Sequence, residues 1–488
     1  MVKKLKQKYR DMTLPVKASI WFVICGVLKD AIDVLVTPIF TRILTTEQYG
    51  VFNVYNSWFQ IAKIVFTLYL FSEVFSVGLV KFEKDRDRFV SATLGFVTAS
   101  VGIYLVVYLL FQDQINKLVK LPWYLCLLLF AHVLVYVPYY CWIRRERYDY
   151  HYRNVAVVSL LYVILQPLAG ILAIVCLDIP LDPGHRRIIA VVGVQIVIGS
   201  ALYAGMMRRG RTFYEREYWK HSIKTGTQLV PFNLSTVVLN QSDRIMINYF
   251  SGPRDTAIYS VAHSAAFVLQ VLTEALDGAF VPWLYRKLKA RELGGIKSAV
   301  NGLIILVAAG VFGVDMIAPE IMVILGDTGY YQGVYCIPAL VYSVYLIFLY
   351  TVFSNMELFY GRNMYVTAAS TVGMAVNIIL NAVFIPRYGF IAAGYTTVSG
   401  YLVICAGHLF LLGRCLYKEG IRVEDVIDLR VMFFISAALL AFTLSCDFLY
   451  RWRTVRWGMV VLLAVILFAS KDRWLGFVRN LKGDNENG

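Results

Sequence analysis

The chain has 488 residues, of which 59% are hydrophobic, 15% aromatic and only 16% charged, with a mean hydropathy of +0.62. A soluble domain carries about 25% charged residues, so the composition excludes one and describes an all-α polytopic membrane protein. The net charge of +15 argues for no nucleic-acid partner, which would want a basic soluble surface; loop topology accounts for it.

Apolar runs long enough to cross a hydrocarbon core of about 30 Å as helices recur from end to end. Fourteen spans are expected, near 17–42, 49–80, 89–111, 121–143, 154–178, 188–207, 227–250, 257–282, 299–325, 334–360, 364–385, 390–413, 431–450 and 457–470. The second is long for one crossing and is expected to tilt or to begin outside the lipid. Alternate loops read KKLKQKYR, KFEKDRDR, RRERYDYHYR, RRGRTFYEREYWKHSIK, YRKLKAR, GR, YKEGIRVEDVIDLR and KDRWLGFVRNLK, and hold most of the 47 basic residues. The positive-inside rule then puts both termini in the cytoplasm. KKLKQKYR precedes an apolar segment too long for a cleaved signal and lacking an A-x-A site, so the first span is expected to stay as an anchor. Cys25, Cys126, Cys141, Cys176, Cys405 and Cys446 fall within or at the edges of spans, without a CxxC pair. Neither a disulfide framework nor a zinc site is expected, and no cofactor.

A displacement of about 207 residues lays YGVFNVYNSWFQIAK (49–63) over TAIYSVAHSAAFVLQ (256–270), and the basic loop at Lys81 over that at 285–291. Two six-helix lobes of equal orientation follow, related by a pseudo-two-fold axis along the membrane normal, a standard transporter plan. The organisation expected is a lobe over 1–207, a cytoplasmic inter-lobe loop over 208–226, a second lobe over 227–416, and two further helices with a cytoplasmic tail over 417–488.

Polar residues inside spans mark the candidate site. Asn233, Thr236, Asn240 and Arg244 recur on one helical face of the seventh span, with Asp243 beside them. A charge near the bilayer centre costs about 2.5–3.5 kcal/mol even on a mild scale, so that face should line water or meet partners. The first span offers Lys29 and Asp33 four residues apart, with Asp30 alongside; the second offers Lys63 and Glu73. In the eighth, His263, Gln270, Glu274 and Asp277 share a face. A polar cavity bordered by these helices is expected. Glu274 and Asp277, repelling each other in a desolvated place, are the expected carriers of a coupling proton, with Glu73 in reserve and sodium as an alternative.

Simpler readings stand beside these. Lys29 and Asp33 could neutralise each other as an i, i+4 pair, and Arg244 could snorkel to the interface. Arg42 and Glu320 sit at span ends, as interfacial residues do. The tyrosines of YSVYLIFLY (342–350) serve equally as packing, as interfacial anchors or as platforms for sugar rings. Asn377 and Asn381 read as interhelical hydrogen-bonding glue.

PIFTRILTTEQYGVFNVY (38–55) closely resembles the segment that begins bacterial polysaccharide and O-antigen flippases: a proline, T-R-[IL]-L-[ST], a polar pair and Y-G-x-[FY]. LNQSDRIMINYF followed by AIYSVAH resembles their seventh and eighth spans, with an S-x-D-R-type motif before [GA]-[IL]-Y-x. The resemblance covers essentially the whole chain. It implies the fold of the multidrug, oligosaccharidyl-lipid and polysaccharide exporter superfamily. It also implies transfer of undecaprenyl-pyrophosphate-linked oligosaccharide from the cytoplasmic to the outer leaflet of a bacterial cytoplasmic membrane. Lys29, Lys63, Asn240 and Arg244 suit such an anionic, polar substrate; only Arg244 and Arg42 lie in motif-like context. Asp33, Glu73, Asp243, Glu274 and Asp277 are candidate ion-coupling groups. Expected partners are the lipid-linked glycan, the bilayer, a proton or sodium ion, and the polymerase and glycosyltransferases of surface polysaccharide synthesis.

The same acids keep a multidrug antiporter of that fold open, and a lipid II flippase is a further relative. A membrane polymerase or glycosyltransferase would need a large extramembrane loop, whereas the longest internal loop has about twenty residues. No enzyme is expected, and the glycan, as capsule, O-antigen or exopolysaccharide, is not legible.

Overall fold

The computed structural model describes residues 12–471, apart from the side chains of Asp30 and Asp33. The basic N-terminal stretch, most of the C-terminal tail and the Asp33 side chain named above therefore lie outside the described residues. Everything regular in the described residues is helical. In chain order the α-helices are α1 (Leu14–Ile43), α2 (Thr46–Thr67), α3 (Glu73–Lys81), α4 (Arg86–Leu110), α5 (Gln112–Val119), α6 (Trp123–Tyr148), α7 (Tyr152–Val175), α8 (Pro183–Gly210) and α9 (Arg216–Ser251). They continue as α10 (Pro253–Ala290), α11 (Ile296–Leu325), α12 (Ile337–Phe359), α13 (Asn363–Tyr388), α14 (Phe390–Lys418), α15 (Val423–Val426), α16 (Leu429–Leu449) and α17 (Arg453–Ala469).

Ten of these elements are long and apolar enough to cross a membrane: α4, α6, α7, α8, α10, α11, α12, α13, α14 and α16. Of the other four spans expected, the fourteenth, α17, has only 17 residues. The first, second and seventh are long enough, at 30, 22 and 36 residues, but carry the polar faces described above. The second span is also broken. Leu68 and Tyr69 adopt positive φ, 50° and 58°, which ends α2 and puts Glu73 at the start of the separate helix α3. Residues 216–226, expected in a loop, form the first turns of α9.

The chain forms two compact units, Met1–Gln241 and Ser242–Gly488, that divide inside α9. In the first, the 38–55 stretch explains itself physically. Thr45 caps α2 in a reciprocal box with Gln48, and the Gln48 amide donates to Asp182 at 3.1 Å. Asp182 in turn caps α8 through the N–H groups of Gly184 and His185. Arg187, one turn on, lays its guanidinium 3.5 Å from the Phe40 ring centroid and 3.6 Å from that of Phe52, a cation–π sandwich that joins α1, α2 and α8.

In the second unit, α13 and α14 approach closely because glycine allows it. A Cβ on Gly373 would stand 2.1 Å from Ile404, and one on Gly400 would stand 3.0 Å from the Cβ of Asn377. The added helix α17 packs on α11 and is tied to it by a buried arginine. Arg456, 3% exposed, donates to Glu320 through Nη1 at 2.7 Å and Nη2 at 3.0 Å, and Nη1 also donates to the Met316 carbonyl at 2.6 Å. Glu320, expected as interfacial, is thus the acceptor of a bidentate pair.

Removing Arg456 would take away both hydrogen bonds of the fork on Glu320. Arg456→Ala is expected to destabilise the protein by about 2 kcal/mol, seen as a lower thermal midpoint in detergent, with Arg456→Lys recovering part of it because an ammonium cannot make the fork. An unchanged midpoint in Arg456→Ala would show that the pair does not hold α17.

Candidate functional site

The strongest constellation in the molecule surrounds Asp243. Its helix, α9, carries it into the interior of the second unit, where it is 3% exposed. Oδ2 accepts hydrogen bonds from the Tyr259 hydroxyl at 2.5 Å and the Thr397 hydroxyl at 2.7 Å. Oδ1 accepts from the Asn381 amide at 2.7 Å. A second layer fixes these donors. Ser242 donates to Asn377 at 3.2 Å, Asn377 to Thr397 at 3.3 Å, and Thr396 to the Asn381 amide oxygen. The close approach of α13 and α14 at Gly373 and Gly400 puts Asn377, Asn381, Thr396 and Thr397 within reach of one another.

All of Asp243's hydrogen-bond donors are neutral. Burying an unpaired carboxylate costs several kcal/mol, and each hydrogen bond to a charged group returns roughly 1.5–3 kcal/mol, so the charge is tolerated without a countercharge in contact. The atoms that meet its two oxygens are the hydroxyl oxygens of Tyr259 and Thr397 and the amide nitrogen of Asn381.

The flanking motif has a matching reason. Arg244 Nε donates to the Ser260 hydroxyl at 3.2 Å, and Tyr259 is the residue before Ser260. The QSDR stretch of α9 and the AIYS stretch of α10 are thus clasped twice, through adjacent residues on both sides.

The other expected site residues separate into different settings. Lys63, on α2, is partly buried and donates to the Tyr136 hydroxyl at 3.3 Å. Its Nζ stands 4.9 Å from the Tyr136 ring centroid, 5.6 Å from that of Phe71 and 5.7 Å from that of Phe59. Phe59 stacks at 3.5 Å on His132, which also meets the Tyr55 hydroxyl at 3.2 Å. Lys29, on α1, is exposed, and Asn240, on α9, is half-buried. Glu274 is exposed and accepts from Gln270 at 3.0 Å. Asp277, one turn on, accepts from the buried Asn355 at 2.8 Å. Glu73 is paired with Arg144 at 3.3 Å, its side chain 63% exposed.

Tyr342 and Tyr345 are buried and bond to the backbone and hydroxyl of Ser436, at 3.1 and 2.9 Å, so these two pack α12 on α16. Asn377 and Asn381, expected as glue, belong to the Asp243 network. Sequence reasoning misses Tyr259, Thr396 and Thr397 as members of this network; for Tyr259 a signal exists in its place in the AIYS motif, while the threonines carry none.

The family described as polysaccharide biosynthesis protein matches residues 16–287. An uncharacterized membrane protein of Methanocaldococcus jannaschii is 22% identical over 230 residues, 46% of this chain and 45% of that protein. The chain thus matches about half the length of that relative. The lipid II flippase MurJ, solved in an inward closed conformation, has a similar fold, with a TM-score of 0.67 at 13% identity over 93% of this chain and 99% of that one. An inward-facing multidrug resistance MATE transporter of the MOP superfamily follows, with a TM-score of 0.57 at 14% identity over 80% of this chain and 96% of that one. The matched residues exceed half of the sequence, and the chain belongs to the polysaccharide biosynthesis protein family, as a multi-pass membrane protein with a fold similar to that of these two solved proteins.

Proposed function

We propose that this protein moves undecaprenyl-pyrophosphate-linked oligosaccharide from the cytoplasmic to the outer leaflet of a bacterial membrane by alternating access, in the synthesis of a surface polysaccharide. Its fourteen spans comprise six-helix lobes over 1–207 and 227–416 and two further helices, with both termini cytoplasmic. Family membership supports the substrate class, and the similar fold of a protein described as a lipid II flippase supports the chemistry of a lipid-linked cargo.

The observation that carries the coupling half of this reading is the buried Asp243, held by neutral donors only. Such a carboxyl changes state on taking up a proton or sodium ion. Asp243 is therefore the proposed coupling group. Asp277, held by a single amide, and exposed Glu274 are the second choice. Glu73 is already neutralised by Arg144.

Lys63 is the proposed phosphate-binding cation in the first unit. Its partners are ring faces and one phenol, which a pyrophosphate oxygen outcompetes for an ammonium. Arg244 is the proposed counterpart in the second unit, where its guanidinium can grip phosphate in a bidentate fork. Lys29 and Asn240 are proposed as further polar contacts.

In proteoliposomes carrying lipid-linked oligosaccharide, the wild type is expected to accelerate transfer between leaflets. A protein that leaves transfer at the rate of empty liposomes would contradict the proposed function. Lys63→Ala and Arg244→Ala should each lower the rate at least tenfold without loss of insertion, since each removes a charge-assisted contact of about 1.5–3 kcal/mol. Arg244→Lys should recover part of it. Wild-type rates in both alanine variants would remove these cations from the site.

A further inference from the structure

The break that ends α2 is strained, and it carries a ring onto Lys63. Leu68 and Tyr69 follow one another at φ of 50° and 58°. Side chains such as these avoid the left-handed region, and two in succession compound the cost. A backbone of this kind persists only where its surroundings enforce it. Here the Ser72 hydroxyl donates to the Tyr69 carbonyl at 2.6 Å, and the Ser100 hydroxyl to the Phe66 carbonyl at 2.7 Å. Arg144, on α6, donates from Nε to the Phe71 carbonyl at 2.9 Å, from Nη1 to Ser76 at 3.1 Å and from Nη2 to Glu73 at 3.3 Å. Gly226 gives the break room, since a Cβ there would stand 2.8 Å from the Leu68 carbonyl oxygen.

An uninterrupted α2 would carry the Phe71 Cα about 12 Å beyond that of Lys63 along the helix axis. With the break, the Phe71 ring centroid lies 5.6 Å from the Lys63 Nζ. An ammonium has three N–H donors. One meets the Tyr136 hydroxyl at 3.3 Å, and the other groups near Nζ are the faces of Phe59, Phe71 and Tyr136. An anion that is to reach the remaining donors needs a ring to move. Phe59 sits within α2, stacked on His132 at 3.5 Å, and Tyr136 sits within α6. Of the three, Phe71 is the one carried by non-helical backbone, and the strain lies two and three residues before it.

We propose that Phe71 is the gate of the Lys63 site. It is closed in this structure and latched by Arg144, and it swings aside when Leu68 and Tyr69 leave the left-handed region, admitting the anionic head of the cargo. This rests on the reading of Lys63 as the phosphate-binding cation. The cargo engages the open form only, so its apparent affinity is its intrinsic affinity scaled by the fraction of protein that is open.

Binding of farnesyl pyrophosphate, a short isoprenyl pyrophosphate, to the full chain in lipid nanodiscs tests the gate. Tyr69→Gly adopts the closed angles without strain, whereas Tyr69→Ala loses the same ring and keeps the strain. Tyr69→Gly should therefore melt higher than Tyr69→Ala and yet bind the probe about fivefold more weakly. A purely structural break would give the first effect without the second. Phe71→Ala, which lifts the gate, should bind about two- to fivefold more tightly than the wild type, the factor set by one cation–π contact.

Equal binding by the two Tyr69 variants overturns the gate, and so does a Tyr69→Gly protein no more stable than Tyr69→Ala. Weaker binding by Phe71→Ala overturns it as well, since Phe71 would then be part of the grip on the cargo. The Tyr69 pair decides the matter even where Phe71→Ala does not fold. Lys63→Ala separates the two readings. Wild-type binding in that variant, or a wild type that does not bind the probe, contradicts the lysine assignment and the gate with it. Lost binding in Lys63→Ala beside equal binding in the Tyr69 pair contradicts the gate alone.

Discussion

The burial of one negative charge organises the second unit. Asp243 is buried in an apolar bundle, where a polar group must be hydrogen-bonded, and three protein donors meet it. Those donors come from three helices: Tyr259 on α10, Asn381 on α13 and Thr397 on α14. Together with α9, which carries the carboxylate, four helices are obliged to converge on one point. The glycines that let α13 and α14 touch, and the Arg244 to Ser260 clasp beside the carboxylate, serve the same convergence.

The first unit solves an opposite problem with softer means. Lys63 is a cation, and its surroundings are the rings of Phe59, Phe71 and Tyr136 with one phenol oxygen. Ring faces stabilise an ammonium weakly and without direction, whereas the donors around Asp243 are short, directed and themselves held in place. A loosely held cation is available to an anionic cargo. A firmly held carboxylate suits an ion that must be taken up at a defined site and later released. This difference supports assigning cargo contact to the lysine and coupling to the aspartate.

Much of the fold is legible in the sequence because hydrophobic run length alone dictates membrane helices. The break after Thr67 is not, since Leu68 and Tyr69 are apolar and only their backbone angles end the helix. Residues 216–226 read as a loop because basic, polar residues resemble one even when helical. The site is half legible. Asp243, Arg244 and Lys63 stand out as charges in apolar text, and the AIYS motif draws attention to the stretch that holds Tyr259. Asn377, Asn381, Thr396 and Thr397 give no signal of a shared carboxylate. They are neutral, common in membrane helices, and lie more than a hundred residues from the aspartate they serve, a distance that helical periodicity cannot bridge. The shared face of Glu274 and Asp277 is legible, but the exposure of Glu274 is not, and that exposure makes Asp243 the better coupling candidate.

Gradient-driven transfer tests the central role of Asp243 most directly. In proteoliposomes with lipid-linked oligosaccharide, an imposed proton or sodium gradient should accelerate transfer by the wild type and by Glu274→Gln, while Asp243→Asn, inserted at the same level, should transfer at a rate indifferent to the gradient. An Asp243→Asn protein that responds to the gradient as the wild type does would contradict the account and leave Asp243 a structural carboxylate.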